Sequence, residues 1–164
     1  MRLLFLQTGG TIDKDYPRSR GGYAFEIAGP AAERILARAN ASVTFRLVSV
    51  VRKDSLELTG EDRLALRQAC ETAEETRIII THGTDTMIET AEALSDVQGK
   101  VIVLTGAMRP ERFSDSDAPF NVGVAVGAAQ ALAPGVYVAM HGQVLRWNEV
   151  ARDTSGQFLP RGRD

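Results

Sequence analysis

The chain has 164 residues, the size of about one domain at about 150 residues each, enough to bury roughly 70% of its unfolded surface around one core. Its composition, 44% hydrophobic and 24% charged with 19 basic against 21 acidic residues, is that of a soluble globular protein and excludes the basic footprint of a nucleic-acid binder. No apolar run approaches the roughly 18–20 residues that cross a bilayer, and the 16 Arg and three Lys are scattered, with no block to suit an anionic membrane surface.

The apolar start, Met1 to Gln7, has no long hydrophobic region and no small-residue cleavage site, so it reads as a first strand, Arg2–Leu6, and not a signal peptide. Pro30–Arg38 follows as a helix and the Val-rich Ser42–Val51 as a second strand. In Glu61–Glu74 the apolar residues recur at helical spacing, and Thr59 with Asp62 forms a capping box ahead of them. Arg77–Thr81, with three consecutive Ile, is a strand buried on both faces. Asp85–Ser95 is a helix, Val101–Leu104 a fourth strand, Ala118–Leu132 a helix with Pro119 in its first turn, and Val136–Met140 a fifth strand. Ile12–Gly22 suits an exposed hairpin or flap. Residues 1–155 form one domain, and the tail Gly156–Asp164, without apolar period, is expected to fray.

Continuous apolar strands alternating with helices predict an α/β fold of the Rossmann or flavodoxin-like kind, a three-layer parallel sheet flanked by helices. Such sheets bind ligands at the carboxyl ends of their strands. There the sequence places Thr8-Gly9-Gly10-Thr11, Arg52-Lys53-Asp54-Ser55, His82-Gly83-Thr84-Asp85-Thr86 and Thr105-Gly106-Ala107-Met108-Arg109-Pro110. Three of the four carry Thr with Gly, so hydroxyls and exposed backbone N–H groups would converge on one crevice. The dinucleotide fingerprint, the P-loop and the G-x-S-x-G elbow are absent. With two His and one Cys there is no zinc-type spacing. A lone Cys70 excludes an internal disulfide framework, reads as a buried thiol in preference to a reactive one, and points to a reducing cytoplasm.

Each motif also has a plainer reading. Thr8 to Thr11 alone fits a tight turn better than a reactive site. His82 is as well explained as a structural hydrogen-bonder as a catalyst. Ser114-Asp115-Ser116-Asp117 fits a helix N-cap before Pro119 better than a cation site, and Tyr16 and Tyr23, on or beside the flap, are ordinarily surface residues.

Together, the segments Thr8–Ile12, Asp54–Thr59, Thr81–Met87, Thr105–Pro110 and Asp117–Asn121 resemble the bacterial-type, threonine-dependent L-asparaginase family. The resemblance implies that family's N-terminal domain with its flap hairpin. It also implies roles. Thr11 matches the nucleophile that attacks the side-chain amide of asparagine, and Tyr23 the flap tyrosine that supports it. Ser55 matches the group that holds the substrate α-carboxylate. Thr84 and Asp85 match the second threonine and its aspartate, which also holds the α-amino group. Gly10, Asp54, Gly83 and Ala107 fall in the substrate-binding loops, and backbone N–H groups around Thr11 and Thr84 resemble the oxyanion site. L-Asparagine is the implied substrate, with homodimers or homotetramers as the implied assembly and neither nucleic acid nor membrane as partner.

The chain departs from the family in three ways. Arg152 aligns where a lysine normally completes the Thr–Asp set, and arginine hardly gives up a proton. Leu56 stands at a usually polar position. The chain ends where the family's second domain would start, so it resembles a short, one-domain branch. Three functions follow: an L-asparaginase, a catalytically weak amino-acid sensor, or an amidohydrolase for glutamine or another small amide.

Overall fold

In the computed structural model, which describes residues 1–17 and 24–162, the chain runs β1 (Arg2–Gly9), β2 (Lys14–Asp15), β3 (Glu26–Ile27), α1 (Ala31–Arg38), β4 (Thr44–Lys53), α2 (Gly60–Thr72), β5 (Arg77–Thr81), α3 (Met87–Ala93), β6 (Val101–Thr105), α4 (Ala118–Ala131), β7 (Gly135–Met140), β8 (Gln143–Arg146), β9 (Val150–Arg152) and β10 (Phe158–Pro160). The main sheet has the order β4-β1-β5-β6-β7-β8. Every neighbouring pair from β4 to β7 is parallel, as the strand–helix alternation predicts.

Side chains alternate across the strands, and that alternation splits the core in two. Leu3 and Phe5 of β1, Ile79, Val103 and Tyr137 pack under α1 and α4. Leu4 and Leu6, Ile78 and Ile80, Ile102 and Leu104 point the other way, against Leu66 and Cys70 of α2 and Met87 and Ala91 of α3. This is the expected three-layer α/β arrangement. The Thr59–Asp62 capping box forms, each side chain accepting from the other's backbone N–H. Among the described residues no helix is long and apolar enough to cross a membrane.

Four expectations need correction. The sheet is not wholly parallel, because β8 returns antiparallel beside β7, with Met140 opposite Gln143. His141 adopts φ +53° at the two-residue turn between them, the left-handed backbone that such hairpins require. The tail is also more ordered than its composition implied. Phe158 is buried with Val150 against the α2–α3 face, and β10 pairs antiparallel with β9; one apolar side chain in the core holds down a segment that has no period. Helix α3 begins at Met87 and not Asp85, because the Thr86 hydroxyl donates to Ser55 O at 2.8 Å and holds the preceding turn out of helical register. Finally, β1 extends to Gly9, so Thr8 and Gly9 belong to the strand and only Gly10 and Thr11 turn out of it. The described part of the flap pairs β2 with β3. Tyr23 lies outside the described residues.

Candidate active site

The carboxyl ends of β1, β4 and β5 meet backbone to backbone. A Cβ built on Gly10 (φ +83°) would stand 2.3 Å from both the N and the Cα of Gly83, and one on Gly83 would stand 2.7 Å from the Cβ and Oγ of Ser55. Only glycine lets three chain segments approach this closely. Gly10 N donates to Lys53 O at 3.0 Å, tying the turn to the end of β4. Gly10, Ser55 and Gly83 therefore form one contact, with Thr11 and Thr84 the residues that leave it.

The threonine hydroxyls divide into two groups. Thr8 donates to Thr81 O at 2.9 Å, Thr86 to Ser55 O at 2.8 Å and Thr105 to Ala139 O at 2.8 Å. Thr8 and Thr105 tie strand to strand and Thr86 ties loop to loop, and these three have no proton left to give. The half-buried Thr11 and the buried Thr84 make no side-chain hydrogen bond among the described residues, and Ser55 Oγ is buried without a partner among them. A buried hydroxyl left unpaired costs stability, so hydroxyls left unbonded around one contact mark a place where a polar ligand can complete them.

Asp85 and Arg152 form an ion pair. Arg152 Nη2 lies 3.3 Å from Asp85 Oδ1, and its Nε is buried without a hydrogen-bond partner among the described residues. Asp54 does a different job. Its Oδ1 accepts from Leu56 N at 3.3 Å and its Oδ2 from Lys14 Nζ at 3.0 Å. The Lys14 ammonium holds its carboxyl below the usual range. Both oxygens are thus engaged in fixing the short turn Ser55–Glu57 and linking it to β2, a supporting rather than a ligand-facing geometry. Ala107 packs its side chain into the core with α4, so only its backbone can face a ligand.

His82 is fully buried. Its Nδ1 contacts Gly83 O at 2.7 Å and its Nε2 contacts Thr90 Oγ1 at 2.8 Å. A carbonyl can only accept, so Nδ1 carries the proton and Nε2 accepts from the threonine. Burial drives its pKa down to about 4, against the opposing pull of Gly83 O. This is the structural hydrogen-bonder of the two readings. Asp117 accepts from Met108 N and Arg109 N, at 3.0 and 3.1 Å, and from Asn121 Nδ2 at 2.9 Å. It ties down the loop after β6 and makes no capping bond to α4.

Sequence reasoning assigned no role to two buried groups beside the site. Asn121 donates from Nδ2 to Gly106 O at 3.0 Å and accepts at Oδ1 from His141 N at 3.1 Å, joining the loops after β6 and β7. An amide among the Ala and Val of α4, at the end of the Asp117–Asn121 segment, was its signal. Asp13, fully buried, accepts from Ala31 N at 2.7 Å.

Residues 2–158 match the family model described as asparaginase, N-terminal. The chain belongs to the asparaginase family. It is 34% identical over 158 residues to the L-asparaginase of Thermococcus kodakarensis, covering 93% of this chain and 48% of that protein. The solved structure of the thermostable L-asparaginase from that organism superimposes with a TM-score of 0.84 at 29% identity, covering all of this chain and 52% of that one. Another relative is a glutaminase-asparaginase of Pseudomonas fluorescens biotype A, 30% identical over 162 residues, which are 92% of this chain and 45% of the relative. This asparaginase-family chain spans about half the length of these relatives.

Proposed function

We propose that the chain hydrolyses the side-chain amide of L-asparagine to L-aspartate and ammonia through Thr11. The observation that carries this reading is the buried Ser55 Oγ, without a partner among the described residues, at the contact of Gly10 with Gly83 from which Thr11 and Thr84 lead. The Thr11 hydroxyl attacks the amide carbon, ammonia leaves, and a threonine ester forms; water then cleaves the ester and restores the hydroxyl. Backbone N–H groups around Thr11 and Thr84 carry the negative charge of the tetrahedral intermediates. Thr84 takes the proton from Thr11 and passes it toward the leaving nitrogen, with Asp85 and Arg152 setting its polarity. Ser55 Oγ holds the substrate α-carboxylate. Tyr23 supports Thr11 in this scheme. No metal or organic cofactor enters any step.

Likeness to both an L-asparaginase and a glutaminase-asparaginase supports the amide class and leaves glutamine as a second substrate to compare. The sensor reading has one supporting observation: the cation beside Asp85 is an arginine, which orients groups but hardly transfers protons. Ammonia release from asparagine and glutamine decides among these. Thr11→Val and Thr84→Val should each lower turnover by a factor on the order of 10² or more. Near-normal turnover in either variant overturns the assignment, and calorimetric binding without ammonia release selects the sensor. The lone thiol supports a cytoplasmic location, and we assign the protein a homodimer or homotetramer; light scattering showing a monomer at micromolar concentration would refute that assembly.

A further inference from the structure

Thr11 to Asp13 form one short 3-10 turn immediately after β1. Several bonds hold it, among them Ala28 N donating to Asp13 O at 2.8 Å and Lys14 N donating to Thr11 O. Asp13 N donates to Gly10 O at 3.1 Å, Glu111 N donates to Ile12 O at 3.2 Å, and Asp13 Oδ1 accepts from Ala31 N at 2.7 Å. Ala31 is the first residue of α1 and has no side-chain cap. The Asp13 carboxylate therefore stands at a helix N-terminus, where a negative charge is favoured and its hydrogen bond is strengthened. Its Oδ2 is buried with no hydrogen bond among the described residues.

We infer that Asp13 is a positioning residue for the nucleophile: its carboxylate locks the turn to α1 and so fixes where the Thr11 hydroxyl stands. The inference rests on the proposed role of Thr11. Every element around Asp13 contributes to its setting. Arg34 of α1 and Arg52 of β4 are the cations that face it, and the Gln7 amide of β1 lies beside it. Gln7 is occupied, donating from Nε2 to Ala28 O at 2.9 Å and accepting from Ser49 Oγ. Arg34 is divided, for it pairs with Glu111 at 2.7 Å and also feels Asp15, Glu33 and Arg112. Burial outweighs these partners and pushes the Asp13 carboxyl up to about 6.

A buried carboxylate raised this far weakens the fold at neutral pH. An amide in its place could still accept from Ala31 N. A stability role therefore does not account for the charge, whereas a role in the adjoining turn does. When Asp13 takes up a proton, its oxygen can still accept from Ala31 N, but the bond to α1 loses its charge assistance and holds the turn less firmly. The turn then relaxes, and Thr11 moves with it.

The test is steady-state ammonia release from asparagine, from about pH 5 to about pH 9, for the wild type and Asp13→Asn. The wild-type kcat should fall on the acid side with a midpoint near 6, the value at which Asp13 titrates. In Asp13→Asn that limb should vanish, with kcat lower by about 10- to 100-fold at alkaline pH and KM changed less than about twofold. A side chain that only supported the fold would leave the acid limb in place. If Asp13→Asn does not fold, hydrogen exchange of the wild type replaces it: protection of the Asp13 N–H, relative to β1 amides, should fall as pH drops through about 6. An unchanged limb, or flat protection, overturns the inference while leaving Thr11 as nucleophile. A wild type that releases no ammonia overturns the proposed function and this inference together.

Discussion

Arg152 Nη2 reaches Asp85 Oδ1 at 3.3 Å, and that contact joins the β9–β10 hairpin to the loop after β5. Both side chains are partly exposed, 29% and 42%, so the pair adds little to stability and its interest is chemical. Guanidinium stays charged at any working pH, so it can orient Asp85 and Thr84 but not carry a proton. Arg152→Lys should therefore raise kcat on asparagine several-fold with KM little changed. A kcat that falls instead would show that orientation by the planar fork is what the site uses.

The Gly10–Gly83 contact makes a second prediction. Gly10 combines φ +83° with backbone atoms 2.3 Å from where a Cβ would stand. Neither the strain nor the clash can be relieved by turning a side chain, and each costs about 1–3 kcal/mol. Gly10→Ala should lower the melting temperature by roughly 5–15 °C and remove activity, because any shift that admits the methyl group separates Thr11 from Thr84. Unfolding followed by circular dichroism, with the ammonia assay alongside, reads both; a melt within a degree or so of the wild type would refute the close approach.

Two buried groups give the fold opposing responses to acid. His82 has its pKa driven from 6.5 to about 4 by burial. The folded state resists its protonation, so its stability is complete above about 6.5 and is lost as pH falls toward 4. Asp13 is raised from 3.8 to about 6. The folded state holds that proton more tightly than the unfolded chain, so this group adds stability below about 4 and loses it as pH rises through 6. Each effect is on the order of 3 kcal/mol at full extent, and across the shared window they largely cancel. His82→Gln should gain stability on acidification from about pH 6 to about pH 4.5, and Asp13→Asn should lose it, in denaturant melts. Parallel behaviour of the two variants would contradict the opposed signs. At lower pH Glu75, held down at about 2 chiefly by its Arg46 partner, adds its own loss.

The layer order was legible in the sequence because apolar alternation is a local property. Leu3 and Phe5 against Leu4 and Leu6 declare two buried faces, and Thr59 with Asp62 declares a helix start. The loops of the candidate site were legible for the same reason, since each follows a strand end. What each hydroxyl does was not. Thr8 and Thr11 stand three residues apart in one motif, and the carbonyl of Thr81 on the neighbouring strand takes the Thr8 hydroxyl, whereas Thr11 makes no side-chain hydrogen bond among the described residues. The same holds for β8, which depends on the left-handed backbone of His141, and for Phe158, whose burial depends on a pocket made by other elements. Long-range pairing carries no period for a sequence to display.

Asn121 tests whether the loop ends act as a unit. Its amide bridges Gly106 O and His141 N, and its Nδ2 also reaches Asp117 Oδ2 at 2.9 Å. Asp117 in turn accepts from the backbone of Met108 and Arg109. Leucine in place of Asn121 has similar volume and fits the apolar face of α4, so packing alone would tolerate Asn121→Leu. The hydrogen bonds would not: a buried carbonyl and a partly buried N–H lose their partner together, at about 1–3 kcal/mol each. Asn121→Leu should therefore be destabilised by roughly 2–5 kcal/mol, read by urea titration with an unchanged m-value. Asn121→Asp keeps the acceptor for His141 N but sets a buried carboxylate against Gly106 O and Asp117 Oδ2, so it should be destabilised at least as much as Asn121→Leu. If Asn121→Leu unfolds at the wild-type midpoint, the amide is not what holds the loops after β6 and β7 together.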